Sequence, residues 1–139
     1  MEPNADRAAA ADELVRIART LGLLGERLAE VDTIGLWSSS DDSGDNRRKR
    51  QGLMEADWDV SYVNRALADF LPLAGEARAE LQPVADAAAE LQALIEPLAG
   101  LVTDTMGTNH DLDVRLSRAR ARTEELQGRV AELLASFRA

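Results

Sequence analysis

The chain has 139 residues, 45% hydrophobic and 29% charged, with a formal charge of −9 and no cysteine. This is enough for one domain over 1–139, and the missing cysteine excludes disulfides, thiolate metal sites and cysteine nucleophiles. The acidic balance sets the chain against nucleic acid and anionic membrane surfaces, so no nucleic-acid partner is expected and a membrane role is disfavoured.

Residues 1–6 lack the basic and apolar segments of a secretory signal, and no apolar run nears the roughly 20 residues of a membrane span. A cytoplasmic location is expected, with export by a signal-independent route left open. Lys49 is the sole lysine among sixteen basic residues, the rest being arginine, a usage associated with GC-rich bacterial genomes.

Leu14, Ile17, Leu21, Leu24, Leu28 and Val31 recur three and four residues apart, the spacing that keeps apolar side chains on one helical face. They predict a helix over about 6–32. Asn4 or Asp6 would cap it, and Asp6, Asp12 and Glu13 suit its dipole. Gly22 and Gly25 weaken it and allow a neighbouring backbone to approach. The repeat fails over 33–52, where Ser38 to Asn46 has the composition of a solvated loop. A connection of that length calls for mobility or for a partner that holds it.

After Gly52 the repeat resumes and keeps phase through Val60, Val63, Leu67, Phe70, Ala74, Ala77, Leu81, Val84, Ala88, Leu91, Ile95, Leu98 and Val102. One helix, or a collinear series, is expected over about 53–106. Pro72, Pro83 and Pro97 would each cost about 3 kcal/mol in a helix interior. With Val60 at heptad position a, they fall at f and c, away from the seam. The reading is therefore one long helix bent at its prolines, most sharply near 72–75. Leu71, Leu73, Ala85, Ala87, Leu94, Ala99 and Leu101 widen the apolar face, so more than one neighbour is expected.

Gly107 and Thr108, with Asp111 three residues beyond, read as a helix stop followed by a capped start, predicting a reversal within 103–109. The rival is a continuous coil, because the heptad phase also passes unbroken from Val102 to Leu112. A last helix over about 109–138 carries Leu112, Leu116, Ala119, Thr123, Leu126, Val130, Leu133 and Phe137.

The fold class is thus all-α: an antiparallel helical bundle or coiled coil built on a long proline-kinked central helix. The first and last helices would each lie along half of it and leave its wide face partly exposed, so self-association is expected. The alternative is a monomeric up-down four-helix bundle, in which the chain folds back at Pro72 to Gly75.

Residues able to carry chemistry are sparse. His110 is the lone histidine and reads as a solvated residue at a helix start. Asp41 to Asn46 has the composition of a calcium loop, but an EF-hand starting at Asp41 or Asp42 would need its closing Glu where Gly52 or Leu53 stands. No triad, phosphate loop or paired carboxylates stand out. No catalytic residue, cofactor or metal is assigned, and no enzymatic activity is expected.

Arg47, Arg48, Lys49 and Arg50 form a basic cluster for an acidic partner or phosphate, or a solvated tip paired with Asp41, Asp42 and Asp45. Arg115, Arg118, Arg120 and Arg122 make a second basic group, read as a solvated helix face. Trp37 and Trp58 flank the loop as packing anchors or as contact residues for a partner.

The proline-punctuated stretch from Leu71 to Leu101 resembles the texture of exchangeable apolipoproteins and of the long helical segments of bacterial lipid-transport Mce proteins, which implies a lipid-surface or granule-associated role. The Gly35-Leu36-Trp37 turn resembles the Trp-x-Gly turn of small helical type VII secretion substrates, with the Gly here preceding the Trp; this implies a substrate or partner of a signal-independent secretion system. Neither assigns a family.

The leading expectation is a non-enzymatic interaction or assembly module, a helical scaffold or adaptor. It would pack Leu67, Phe70, Leu81, Val84, Leu91, Ile95, Leu98 and Val102 against a second copy or another helical protein, with a dimer favoured. Trp37, Trp58 and Arg47 to Arg50 are the further candidate contacts.

Overall fold

The computed structural model describes residues 3–34, 43–102 and 110–139. Four long helices carry the fold: α1 (Pro3–Thr33), α2 (Ser43–Phe70), α3 (Arg78–Ile95) and α4 (His110–Arg138). Short 3-10 turns at Leu71–Leu73 and Gly75–Ala77 join α2 to α3, and another at Ala99–Leu101 follows α3. Among the described residues there is no strand.

Each helix buries the stripe that its periodicity marks. Leu14, Ile17, Leu21, Leu24 and Leu28 of α1 meet Leu53, Val60, Val63 and Leu67 of α2, Leu81, Leu91 and Ile95 of α3, and Leu112, Leu116 and Val130 of α4 in one apolar core. A fully buried Leu or Ile contributes about 1.5–3 kcal/mol, so this seam is the main source of stability.

Polar contacts set direction and register. Arg27 of α1 reaches Asp59 through Nε at 2.6 Å and Glu55 through Nη1 at 2.5 Å, gripping two acids one turn apart on α2. At the other end of α1, Asp6 accepts the Glu76 backbone N–H, so α1 and α2 run antiparallel. Asn64 Nδ2 donates to Ala88 O at 3.0 Å and Gln92 Oε1 at 2.8 Å, while Gln92 Nε2 donates to Ser61 Oγ. With Arg50 donating to Val102 O, these bonds align α2 antiparallel to α3. Arg120 pairs with Asp32, and Gln127 Nε2 donates to Leu21 O, which aligns α4 antiparallel to α1. Arg7 joins three helices at the far end. It donates to Glu80 of α3 and to Ser136 O of α4, with its guanidinium 4.8 Å from the Phe137 ring centroid.

The single bent helix expected over 53–106 is absent. α2 starts ten residues earlier than that reading placed it and stops at Phe70; α3 lies back beside α2. Pro72 occupies the first turn of a 3-10 segment, where a missing N–H costs little. Gly75 takes φ +57°, a left-handed conformation that turns the chain between the two 3-10 segments and that glycine adopts without strain. Pro97 comes after the end of α3, and only Pro83 lies inside a continuous helix. The expected loop over 33–52 is likewise too long, because Arg47 to Arg50 belong to α2. The reversal expected at 103–109 lies outside the described residues; α3 and α4 on either side of it pack against each other.

Candidate interaction surface

The seam expected to receive a partner is filled by the chain itself. Leu67, Leu81, Val84, Leu91, Ile95, Leu98 and Val102 are all buried in the core; Phe70 is half-buried at its edge. The expected exposed face does not exist because the chain reverses near Gly75, letting α2 and α3 cover each other while α1 and α4 close the remaining sides.

The basic cluster is divided by helical geometry. Lys49 is 2% exposed and donates from Nζ to Ile34 O at 2.8 Å. Burial lowers its pKa, partly offset by the nearby Asp113 and Asp32 carboxylates. Arg50 is turned onto Val102 O, and Arg48 pairs with Asp45 at 3.1 Å. Arg47 alone of the four is exposed with no ion pair among the described residues. Four adjacent cations in sequence therefore do not make a four-cation patch. Trp37, Asp41 and Asp42 lie outside the described residues.

His110 is exposed at the start of α4. Among the described residues no three His, Cys, Asp or Glu side chains gather closely enough to hold a metal ion, and no helix is long and apolar enough to cross a membrane. A groove of about 530 Å³ runs between α3 and α4. Asp86, Glu90 and Glu125 face Arg118, Arg122 and Arg129 around it, so its charges cancel and favour neither an anion nor a cation.

The outer face of α2 differs from the rest of the surface. Met54, Trp58 and Tyr62 follow one another at four-residue intervals and are 40%, 59% and 50% exposed. That spacing aligns them on one side of a helix, opposite the buried Ala56, Val60, Val63 and Leu67. The stripe continues into a groove of about 350 Å³ lined by Tyr62, Arg65, Asp69, Phe70, Leu73 and Glu13, and Leu73 is 73% exposed. The whole chain has only five aromatic residues. Phe137 is buried, whereas Trp58 and Tyr62 stand exposed and Phe70 half-exposed along this one face. Among the described residues the core is aliphatic apart from Phe137, and the other three aromatics lie along this one face.

Of this surface the sequence reading included Trp58 and Phe70 but passed over Met54 and Tyr62. The signal was present: with Val60 at heptad a, Met54, Trp58 and Tyr62 fall at b, f and c, positions that a soluble helix ordinarily fills with charge.

Comparison with known proteins returns no matching family model, no matching curated protein and no matching solved structure.

Proposed function

We propose that this chain is a non-enzymatic protein-interaction module, a self-contained up-down four-helix bundle that docks through the outer face of α2. The observation carrying this reading is the exposed Met54, Trp58 and Tyr62 stripe. Trp and Tyr contribute disproportionately to protein interfaces because each offers a large, rigid apolar surface with a polar edge. Scattered exposed apolar residues such as Leu23 and Val114 are ordinary on a protein surface; three in register beside a groove are not. A lipid-surface role drew on the 67–102 seam, and that seam is buried.

The test is site-specific photocrosslinking in the native cell, with benzoylphenylalanine at position 58 and, as a control, at the exposed Arg118 on α4. Crosslinking to protein at 58 well above that at 118 is expected. Equal or absent crosslinking at 58 would remove the α2 face as the working surface.

A further inference from the structure

The α2 face is self-complementary, and we propose that its partner is a second copy of the same chain, docked antiparallel across a two-fold axis through Trp58. This rests on the reading of α2 as the docking face and names its occupant. A two-fold interface requires one patch to match itself when reversed. Arg47 and Asp69 each lie eleven residues from Trp58, Gln51 and Arg65 seven, and Met54 and Tyr62 four. The intervals 4, 3, 4, 4, 3, 4 along α2 thus read alike in both directions, so reversal of the helix about Trp58 superposes the contact positions.

The chemistry matches as well as the spacing. Trp58 meets the partner's Trp58 at the axis, and Met54 meets the partner's Tyr62 on either side, a favourable sulfur-to-aromatic pairing. At the two ends Arg47 meets the partner's Asp69. Both are exposed and neither has an ion pair among the described residues; their charges are opposite where the reversal brings them together. Arg65 meets the partner's Gln51, one turn from the partner's Glu55. No like charges are opposed at any of these positions. A parallel pairing would instead set Arg47 on Arg47 and Asp69 on Asp69, so the charges select the antiparallel arrangement. α2 runs from Ser43 to Phe70 without a proline, and the stretch from Arg47 to Asp69 forms a rod of about 33 Å.

One helix face is smaller than a standard interface, so association is expected between about 1 µM and about 1 mM. The experiment is sedimentation velocity on the full chain across that range. The wild type should move from the monomer to the dimer coefficient, and Trp58→Glu should remain monomeric with an unchanged circular-dichroism melt. Arg47→Glu and Asp69→Arg should each weaken dimerisation by about tenfold, and the combined Arg47→Glu/Asp69→Arg variant should recover most of it. A wild type that stays monomeric throughout, or a double reversal no better than its parents, overturns the proposal. If the chain is monomeric yet position 58 still crosslinks to a different protein, self-pairing fails and the docking reading stands. If neither occurs, both fall.

Discussion

The carboxylate of Asp6 fills the space that a side chain on Gly75 would need. Asp6 is 5% exposed, and its Oδ2 accepts the Glu76 N–H at 3.2 Å. Gly75, at φ +57°, is the only residue with positive φ among those described. The start of α1 is thereby fastened to the turn that makes α2 and α3 a hairpin. Gly75→Ala carries two penalties: about 1 kcal/mol for left-handed alanine and about 1–3 kcal/mol for a buried carboxylate driven from its donor. The urea midpoint should fall by an amount equivalent to about 2–4 kcal/mol, at unchanged m-value. Adding Asp6→Ala should cost less in the Gly75→Ala background than alone; strict additivity would mean that the two sites do not touch.

Two glycines inside helices should respond to alanine in opposite directions. A Cβ on Gly22 of α1 would meet nothing within 4 Å, so Gly22→Ala should stabilise by about 1 kcal/mol through helix propensity alone. A Cβ on Gly52 of α2 would lie 2.5 Å from Val31 Cγ2. Valine is stiff at χ1 in a helix, so the helices must part, and overpacking of this kind costs about 1–3 kcal/mol. Gly52→Ala should therefore lower the melting temperature despite its better propensity. Val31→Ala in the same chain should recover part of the loss, and a stabilised single variant would show that α1 and α2 are less closely packed there.

These glycines also show what the sequence conveyed and where it misled. The three-four repeat counts residues facing the core, and it is insensitive to the path between them. Ala74 and Ala77 stay in phase with the seam and are buried, although they lie in the 3-10 region that reverses the chain. That segment from Leu71 to Ala77 is one heptad long, so the phase is the same for a bent helix and for a hairpin. Burial of the 67–102 stripe was legible for this reason, whereas the repeat by itself did not choose between a second copy and the same chain folded back at Pro72 to Gly75. The same limit applies before Gly52: Asn46 and Lys49 bury at helical spacing, but polar residue types hid them among loop-like neighbours. Lysine buries its methylenes while its amine reaches Ile34 O, an outcome that residue hydropathy alone does not signal.

Asp57 should make the fold more stable in mild acid than its other carboxylates suggest. Its Oδ1 is buried with no hydrogen-bond donor among the described residues; burial, with repulsion from Glu96, raises its carboxyl above the ordinary value. In the unfolded chain the group ionises at about 3.9. As pH rises through that value toward the raised folded one, the native state holds the proton more tightly, and this group's effect on stability turns unfavourable; it stays unfavourable at neutral pH. Asp57→Asn should raise the melting temperature at pH 7 and differ little from wild type near pH 3. A difference that is constant with pH would assign the effect to packing instead of charge.

Leu91 and Trp58 separate the core from the surface most directly. Leu91 is 1% exposed on α3 and Trp58 59% exposed on α2. Leu91→Asp places a carboxylate in the apolar core, and losses of about 3 kcal/mol or more are expected for such a burial, even with Arg118, Arg122 and Arg129 around the groove that Leu91 lines. Far-ultraviolet circular dichroism should show lost helicity or a steeply lowered melting temperature. Trp58→Asp removes a side chain that is mostly in water, so its melt should lie close to wild type while any association is lost. If Leu91→Asp instead left a folded monomer, the stripe would be the exposed contact face that the heptad pattern first suggests, and the hairpin at Gly75 would have to open to present it.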